Sequence, residues 1–197
     1  EIMVVASGKG GVGKTFFTAN FGARLAMDGA SVLLIDMNIG TRSLDISLGL
    51  ENKIIYDLSD AIRGTCRLKQ ALVRDRRFRD LYLLSAPQNR SKADFTTEDM
   101  RQLCRELVDR FSYILLDAPA GINEDLRRAA APAGRGVIVT APEHTAIRDA
   151  ELMDTVLLSL GIEKRCVVIN RILPELLRRG IVPDPAEIAE HLRPPVV

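Results

Sequence analysis

Short apolar runs alternate along the chain with longer stretches in which apolar residues recur every three or four positions. Ile2–Ala6, Ser31–Asp36, Leu81–Ser85, Ser112–Asp117, Gly136–Thr140 and Arg165–Asn170 are continuous apolar or β-branched runs and predict strands. Thr15–Met27 predicts a helix closed by Gly29. Thr97–Phe111 predicts one with Met100, Leu103, Leu107 and Val108 at helical spacing, and Thr145–Leu160 one closed by Gly161. Strands that are apolar on both faces need cover on both sides, and strands separated by helices run parallel. The expected fold class is α/β: a three-layer domain with a mostly parallel sheet and helices on both faces.

Composition narrows this reading. The 197 residues fit one domain. A chain of that length buries about 70% of its unfolded surface, so no metal or disulfide is needed for folding. An apolar fraction of 47% excludes disorder, and no apolar run is long enough for a spanning helix. The net charge of +1 predicts no global attraction to nucleic acid. Bases concentrate only at Arg63, Arg67, Lys69, Arg74, Arg76, Arg77 and Arg79, opposed by Asp75; a solvated face is expected there, with Asp75–Asp80 as a solvated turn. Cys66, Cys104 and Cys166 form no C-x-x-C pair, which removes zinc ribbons, redox dithiols and single-chain iron–sulfur clusters. They are expected to be small buried side chains in a reducing cytosol. His144 and His191 have no nucleophile motif nearby, so hydrolysis based on histidine is not expected. The opening Glu1-Ile2-Met3 shows no cationic leader, and a residue or two are expected to precede it.

The chemistry sits directly after the first strand. Gly8-Lys9-Gly10-Gly11-Val12-Gly13-Lys14-Thr15 fits G-x-x-x-x-G-K-[ST] between a strand and a helix. Glycines let successive backbone N–H groups turn toward phosphate oxygens, and the helix adds its positive end. Lys14 supplies charge to the β/γ phosphates, and the Thr15 hydroxyl can ligate Mg²⁺. The fold expectation becomes a P-loop NTPase, with ligands at the carboxyl ends of the strands.

Lys9, after the first glycine, gives K-G-G-V-G-K-T, which resembles the deviant phosphate loop of the MinD/ParA family of ATPases. The resemblance runs through Asp36-Met37-Asn38-Ile39-Gly40-Thr41-Arg42-Ser43-Leu44-Asp45, the segment around Tyr56, Leu68–Val73, Leu115-Leu116-Asp117-Ala118-Pro119-Ala120-Gly121-Ile122 and Pro142–Asp149. These motifs resemble the septum-site-determining branch and cover nearly the whole chain up to about Arg179. The resemblance implies ATP and Mg²⁺ as cofactors and a homodimer bridged by ATP, with Lys9 reaching the partner's phosphates. Asp36 and Asp117 would hold water on Mg²⁺ beside Thr15, and Asp36 and position 38 would organise hydrolysis. Asn170-Arg171 and Pro183-Asp184 would border the base, while Glu143 and Asp149 would face the partner subunit or regulators. A role in septum placement would bring cell-division regulators as partners. The location would be cytoplasmic, peripheral on the inner face of the cell membrane in the full-length ATP-bound form.

Four departures modify those expectations. Asn38 stands where the family has Asp; it bonds water but takes no proton, which predicts slow hydrolysis. Phe16 removes a hydroxyl that often touches the α-phosphate and keeps its backbone N–H. Gly180 runs into Ile181 where the family has a helix and a strand, so an internal segment is expected to be missing. The sequence stops at Pro194-Pro195-Val196-Val197, without the amphipathic tail through which the family binds anionic membranes. Other readings are a flagellar or pilus positioning ATPase, a ParA-type DNA-segregation ATPase using the Arg63–Arg79 stretch, and an ATP-binding scaffold without turnover. DNA is the less expected partner. Iron-protein relatives are excluded because residues 118–126 contain no cysteine.

Overall fold

The computed structural model describes residues 1–89, 91 and 94–197. Its strands are β1 (Ile2–Ala6), β2 (Val32–Asp36), β3 (Val73–Arg74), β4 (Leu81–Leu84), β5 (Tyr113–Asp117), β6 (Arg135–Thr140) and β7 (Lys164–Ile169). The helices are α1 (Lys14–Met27), α2 (Leu44–Leu48), α3 (Leu58–Ile62), α4 (Leu68–Ala71), α5 (Thr97–Leu107), α6 (Glu124–Ala130), α7 (His144–Ser159), α8 (Pro174–Arg178) and α9 (Pro185–His191). One sheet has the order β3-β4-β2-β5-β1-β6-β7. Every pairing is parallel except β3 with β4.

Successive residues of a strand face opposite sides of a sheet, and the core divides accordingly. Leu33, Ile35, Ile114 and Leu116 face α5, α6 and α7 through Met100, Leu103, Leu126, Met153 and Leu157. Val32, Leu34 and Leu115 face α1 and α2 through Ala19, Ala23, Leu44 and Leu48. Both faces are covered, as expected for strands without polar alternation. Close approach fixes α1: a Cβ on Gly22 would lie 2.6 Å from Cδ2 of Leu34. This places the start of α1 at the carboxyl ends of the central strands.

Several sequence expectations need correction. The helix expected over Thr97–Phe111 ends at Leu107. Only Cys104 is buried; Cys66 and Cys166 are partly exposed. The edge strand β3 has two residues and pairs antiparallel, Val73 with Leu83 and Arg74 with Tyr82. The turn that follows it is not simply solvated. Asp75 is 3% exposed. Its carboxylate accepts the backbone N–H of Arg77 at 2.7 Å and of Phe78 at 3.3 Å, together with the Arg77 guanidinium at 2.9 Å. Arg77 also donates to the Leu48 carbonyl at 2.9 Å. At the other edge, α8 ends through Gly180 at φ 62, and Ile181 N–H donates to the Leu176 carbonyl at 3.0 Å. Val196 bridges in parallel to Val167 on β7.

Burial opposes ionisation of Asp75, but the Arg77 side chain and the Arg77 and Phe78 amides outweigh it and hold the pKa below the ordinary value. A depressed folded pKa contributes stability above the unfolded value of about 3.9 and loses it as pH falls through the folded value. Asp75→Asn is therefore expected to lose about 1–2 kcal/mol at neutral pH, with the gap to wild type closing in acid, as pH falls through the lowered folded value. Urea unfolding at both pH values checks this; an equal gap at both would contradict it.

Candidate functional site

The carboxyl ends of β1, β5 and β2 lie side by side, and Asp36 is in register with Asp117 across β2 and β5. From β1 the chain passes through buried Ser7, whose carbonyl accepts Gly121 N–H at 3.0 Å, into the glycine loop. Gly11 and Gly13 take φ of 79° and 94°, a left-handed conformation that side-chain-bearing residues rarely adopt. Helix α1 starts at Lys14 with no acidic residue in its first turn, so its positive end is left for an anion.

The loop is gripped from two sides. A Cβ on Gly8 would meet the Asp149 backbone of α7 and lie 2.6 Å from its Cβ. A Cβ on Gly13 would overlap the Asn170 amide, and that amide donates to the Val12 carbonyl at 2.9 Å. Asn170 thus braces the loop from the end of β7, a contact that spacing along the sequence does not reveal.

Asp117 gathers the charged groups. Fully buried, it accepts Lys14 Nζ at 2.7 Å and Thr18 Oγ1 at 3.0 Å on Oδ1, and Thr15 Oγ1 and Asn38 Nδ2 at 2.7 Å each on Oδ2. Asp36, also fully buried, accepts the Asn38 backbone and side-chain N–H groups at 2.8 Å on Oδ1. Its Oδ2 accepts Ser43 N–H at 2.8 Å and Leu44 N–H at 2.9 Å. Burial and then the neighbouring Asp117 push the Asp36 pKa above the ordinary carboxylate value, against the bonds from Leu44 and Asn38. The Asn38 amide therefore sits between two buried carboxylates and donates to both.

Lys9 lies outside this cluster. Its ammonium pairs with Glu143 at 2.8 Å and contacts Thr145 Oγ1 at 3.4 Å, both at the start of α7. The hydrogen bond from Lys9 and its charge, with a further effect from Arg171, hold the Glu143 pKa low. This pair is exposed, with side-chain accessibilities of 43% and 53%, so solvent screens it. Arg171 has φ 60 and is exposed. Pro183 and Asp184 line a cavity of about 370 Å³ with His144, Leu177 and Ile181. Asp184 also caps α9, accepting Ala186 N–H at 2.8 Å. Phe16 is 67% exposed at the start of α1.

Sequence reading missed Thr18, Ser43 and Thr145. Thr18 had a signal, since four residues beyond Lys14 is the same helix face; the other two are brought in by tertiary contact alone. The donor set of Thr15 Oγ1, Asp36 and Asp117 is all oxygen and suits a hard cation. No group of three His, Cys, Asp or Glu able to hold a metal occurs among the described residues. A Mg²⁺ ion uses one or two carboxylates with water and substrate phosphates and needs no all-protein cage.

A parallel sheet with a glycine loop opening a helix, a buried lysine and two carboxylates at adjacent strand ends defines a P-loop nucleotide-binding protein. The second lysine places it among those with the deviant loop. A family model described as the CobQ/CobB/MinD/ParA nucleotide binding domain matches residues 3–193. The septum site-determining protein MinD of Synechocystis is 44% identical over 197 residues, covering 100% of this chain and 74% of that protein. The MinC:MinD cell division complex of Aquifex aeolicus superposes with TM-score 0.91 at 39% identity, covering 100% of this chain and 79% of that chain. The septum site-determining MinD of Pyrococcus horikoshii, complexed with Mg-ADP, gives TM-score 0.88 at 26% identity over 100% and 79%. The chain belongs to the CobQ/CobB/MinD/ParA nucleotide-binding family, and its function is that of a septum-site cell-division ATPase of the MinD type. Among the described residues no helix is long and apolar enough to cross a membrane.

Gly13→Ala is expected to abolish tight nucleotide binding, because it combines a left-handed backbone with a clash at Asn170. Adding Asn170→Ala relieves the clash and leaves the backbone strain, so the double variant should recover only part of the affinity. Titration with a fluorescent nucleotide checks this; full recovery would show that the backbone conformation is not the constraint.

Proposed function

We propose that this chain binds ATP with Mg²⁺, dimerises across the bound nucleotide, and hydrolyses it slowly to reset a switch used in septum placement. The observation that carries this reading is the division of labour between the two loop lysines. Lys14 is 7% exposed and locked on Asp117, while Lys9 is exposed and weakly held by Glu143. A buried ammonium at the helix start suits a phosphate bound in the same chain. A screened ammonium at the loop's outer side suits a phosphate of a second copy, as an arginine finger acts in trans.

Mg²⁺, held by Thr15, Asp36 and Asp117, would neutralise charge developing on the phosphates. The chain's own groups do the rest. The loop amides and Lys14 orient the phosphates, with the Phe16 backbone N–H beside them. Asn38 positions water through its side-chain oxygen, because its N–H groups face Asp36 and Asp117. Positioning without proton acceptance supports slow turnover. Asn170, Arg171, Pro183 and Asp184 border the base in this reading, and Glu143 and Asp149 lie where a partner subunit or division regulator would meet α7. A peripheral membrane location would depend on a tail beyond this sequence. A DNA-binding reading gains little support, because Arg77 is tied to Asp75 and Leu48, and Arg74 to the Arg79 carbonyl.

Size-exclusion chromatography with ATP, with ADP and without nucleotide tests the switch. Wild type should dimerise only with ATP, and Lys9→Ala should stay monomeric while still binding nucleotide. A monomer in every condition would overturn the reading. In single-turnover assays Asn38→Asp should raise the hydrolysis rate; an unchanged rate would remove Asn38 as the cause of slow turnover.

A further inference from the structure

Thr18 lies one turn beyond Lys14 in α1, outside the glycine-loop motif, and is fully buried. Its hydroxyl is 3.0 Å from the Lys14 carbonyl and 3.0 Å from Asp117 Oδ1. A hydroxyl has one proton to give, and an ionised carboxylate is the stronger acceptor. Asp117 Oδ1 has two side-chain donors, Lys14 and Thr18, whereas Oδ2 is served by Thr15 and Asn38.

We propose that Thr18 is a positioning residue for the nucleotide site, anchoring Oδ1 of Asp117 so that Oδ2 keeps its aim beside Thr15. The inference rests on the nucleotide reading above, in which a bound phosphate draws Lys14 away from Asp117. Once that ammonium has turned to the phosphate, Thr18 is the remaining side-chain donor to Oδ1. With the hydroxyl absent, a buried carboxylate oxygen is left without a partner, and the carboxyl group is free to rotate out of line with the cation. Thr18 can serve both states because its proton swings between the Lys14 carbonyl and Asp117 with no change of backbone. The role requires a small hydroxyl residue on this face of α1 and no direct contact with the substrate.

Thr18→Val keeps the shape and removes the hydroxyl; Thr18→Ser keeps the hydroxyl. The primary measurement is ADP affinity by calorimetry, in EDTA and across a Mg²⁺ titration, with melting temperature recorded alongside. In Thr18→Val the Mg²⁺ concentration for half-maximal tightening should rise about tenfold, the scale of a lost hydrogen bond to a charged group. ADP affinity in EDTA should stay within about twofold of wild type, since the loop amides and Lys14 are intact. Thr18→Ser should restore the wild-type Mg²⁺ dependence. In turnover assays Thr18→Val should lower kcat with little change in KM at saturating Mg²⁺. If Thr18→Val does not fold, Thr18→Ala carries the same expectation. A wild-type Mg²⁺ dependence in either hydroxyl-free variant, even with a lowered melting temperature, would overturn the proposal and leave Thr18 a packing residue. Failure of wild type itself to bind ADP in any Mg²⁺ concentration would instead overturn the nucleotide reading, and this proposal with it.

Discussion

A carboxylate without solvent contact at the end of a central strand is the constraint around which this molecule is arranged. Asp117 is at 0% exposure in the middle of a seven-stranded sheet, where an unpaired charge would be expelled or neutralised. It is held by Lys14, Thr15 and Thr18 from α1 and by Asn38 from the segment after β2. Removing one partner of such a buried pair costs about 3–5 kcal/mol. The glycine loop, the first helix and the β2 loop are therefore fixed relative to one another by a single group. Gly22 against Leu34 makes the same placement from the apolar side, by letting α1 lie close on the sheet.

Both oxygens of Asp117 are met by donors from the protein, so a phosphate or cation taken up at Lys14 and Thr15 would compete with that carboxylate. Lys14 and Thr15, the groups chemically suited to phosphate and cation, already bond the carboxylate. Asp36 adds a second carboxylate in register with the first, and burial, then the charge of Asp117, raises its pKa. Asn38 fits this arrangement because it donates to both carboxylates. An aspartate there would place a third acid beside the other two, a like-charge repulsion that Lys14 would offset only in part. The amide at position 38 thus satisfies both carboxylates, whereas a carboxylate there could donate to neither.

Much of this was legible in the sequence because the signals are local. Continuous apolar runs mark strands covered on both faces, and the glycine spacing marks the loop whatever surrounds it. What was not legible depends on contacts made only once the chain has packed, some of them between near neighbours. The edge strand β3 has two residues and exists through pairing with β4. Asp75 reads as a surface acid in a charged turn, yet Arg77 and the turn amides draw it inside. Thr18 lies outside every motif, Ser43 lies within one that does not show its contact with Asp36, and Asn170 reaches the loop across 158 residues of sequence. Cys66 and Cys166, expected inside on residue type alone, sit at the border of the core.

The loop meets α7 in two contacts of unlike kind, and the difference decides what can move. Gly8 against the Asp149 backbone is a close-packed contact that any side chain would break, so the loop and helix keep their separation. Lys9 against Glu143 is an exposed ion pair that salt screens and water competes for. Rotation of one lysine side chain therefore frees Lys9 without disturbing the backbone that holds the phosphate loop, itself clamped on its other side by Asn170. In the proposed dimer, a lysine that reaches a second copy would have to be weakly held where it starts, beside a rigid cradle. Within a single seven-residue stretch of the loop, the exposed Lys9–Glu143 pair and the buried Lys14–Asp117 pair differ in the way that proposal requires.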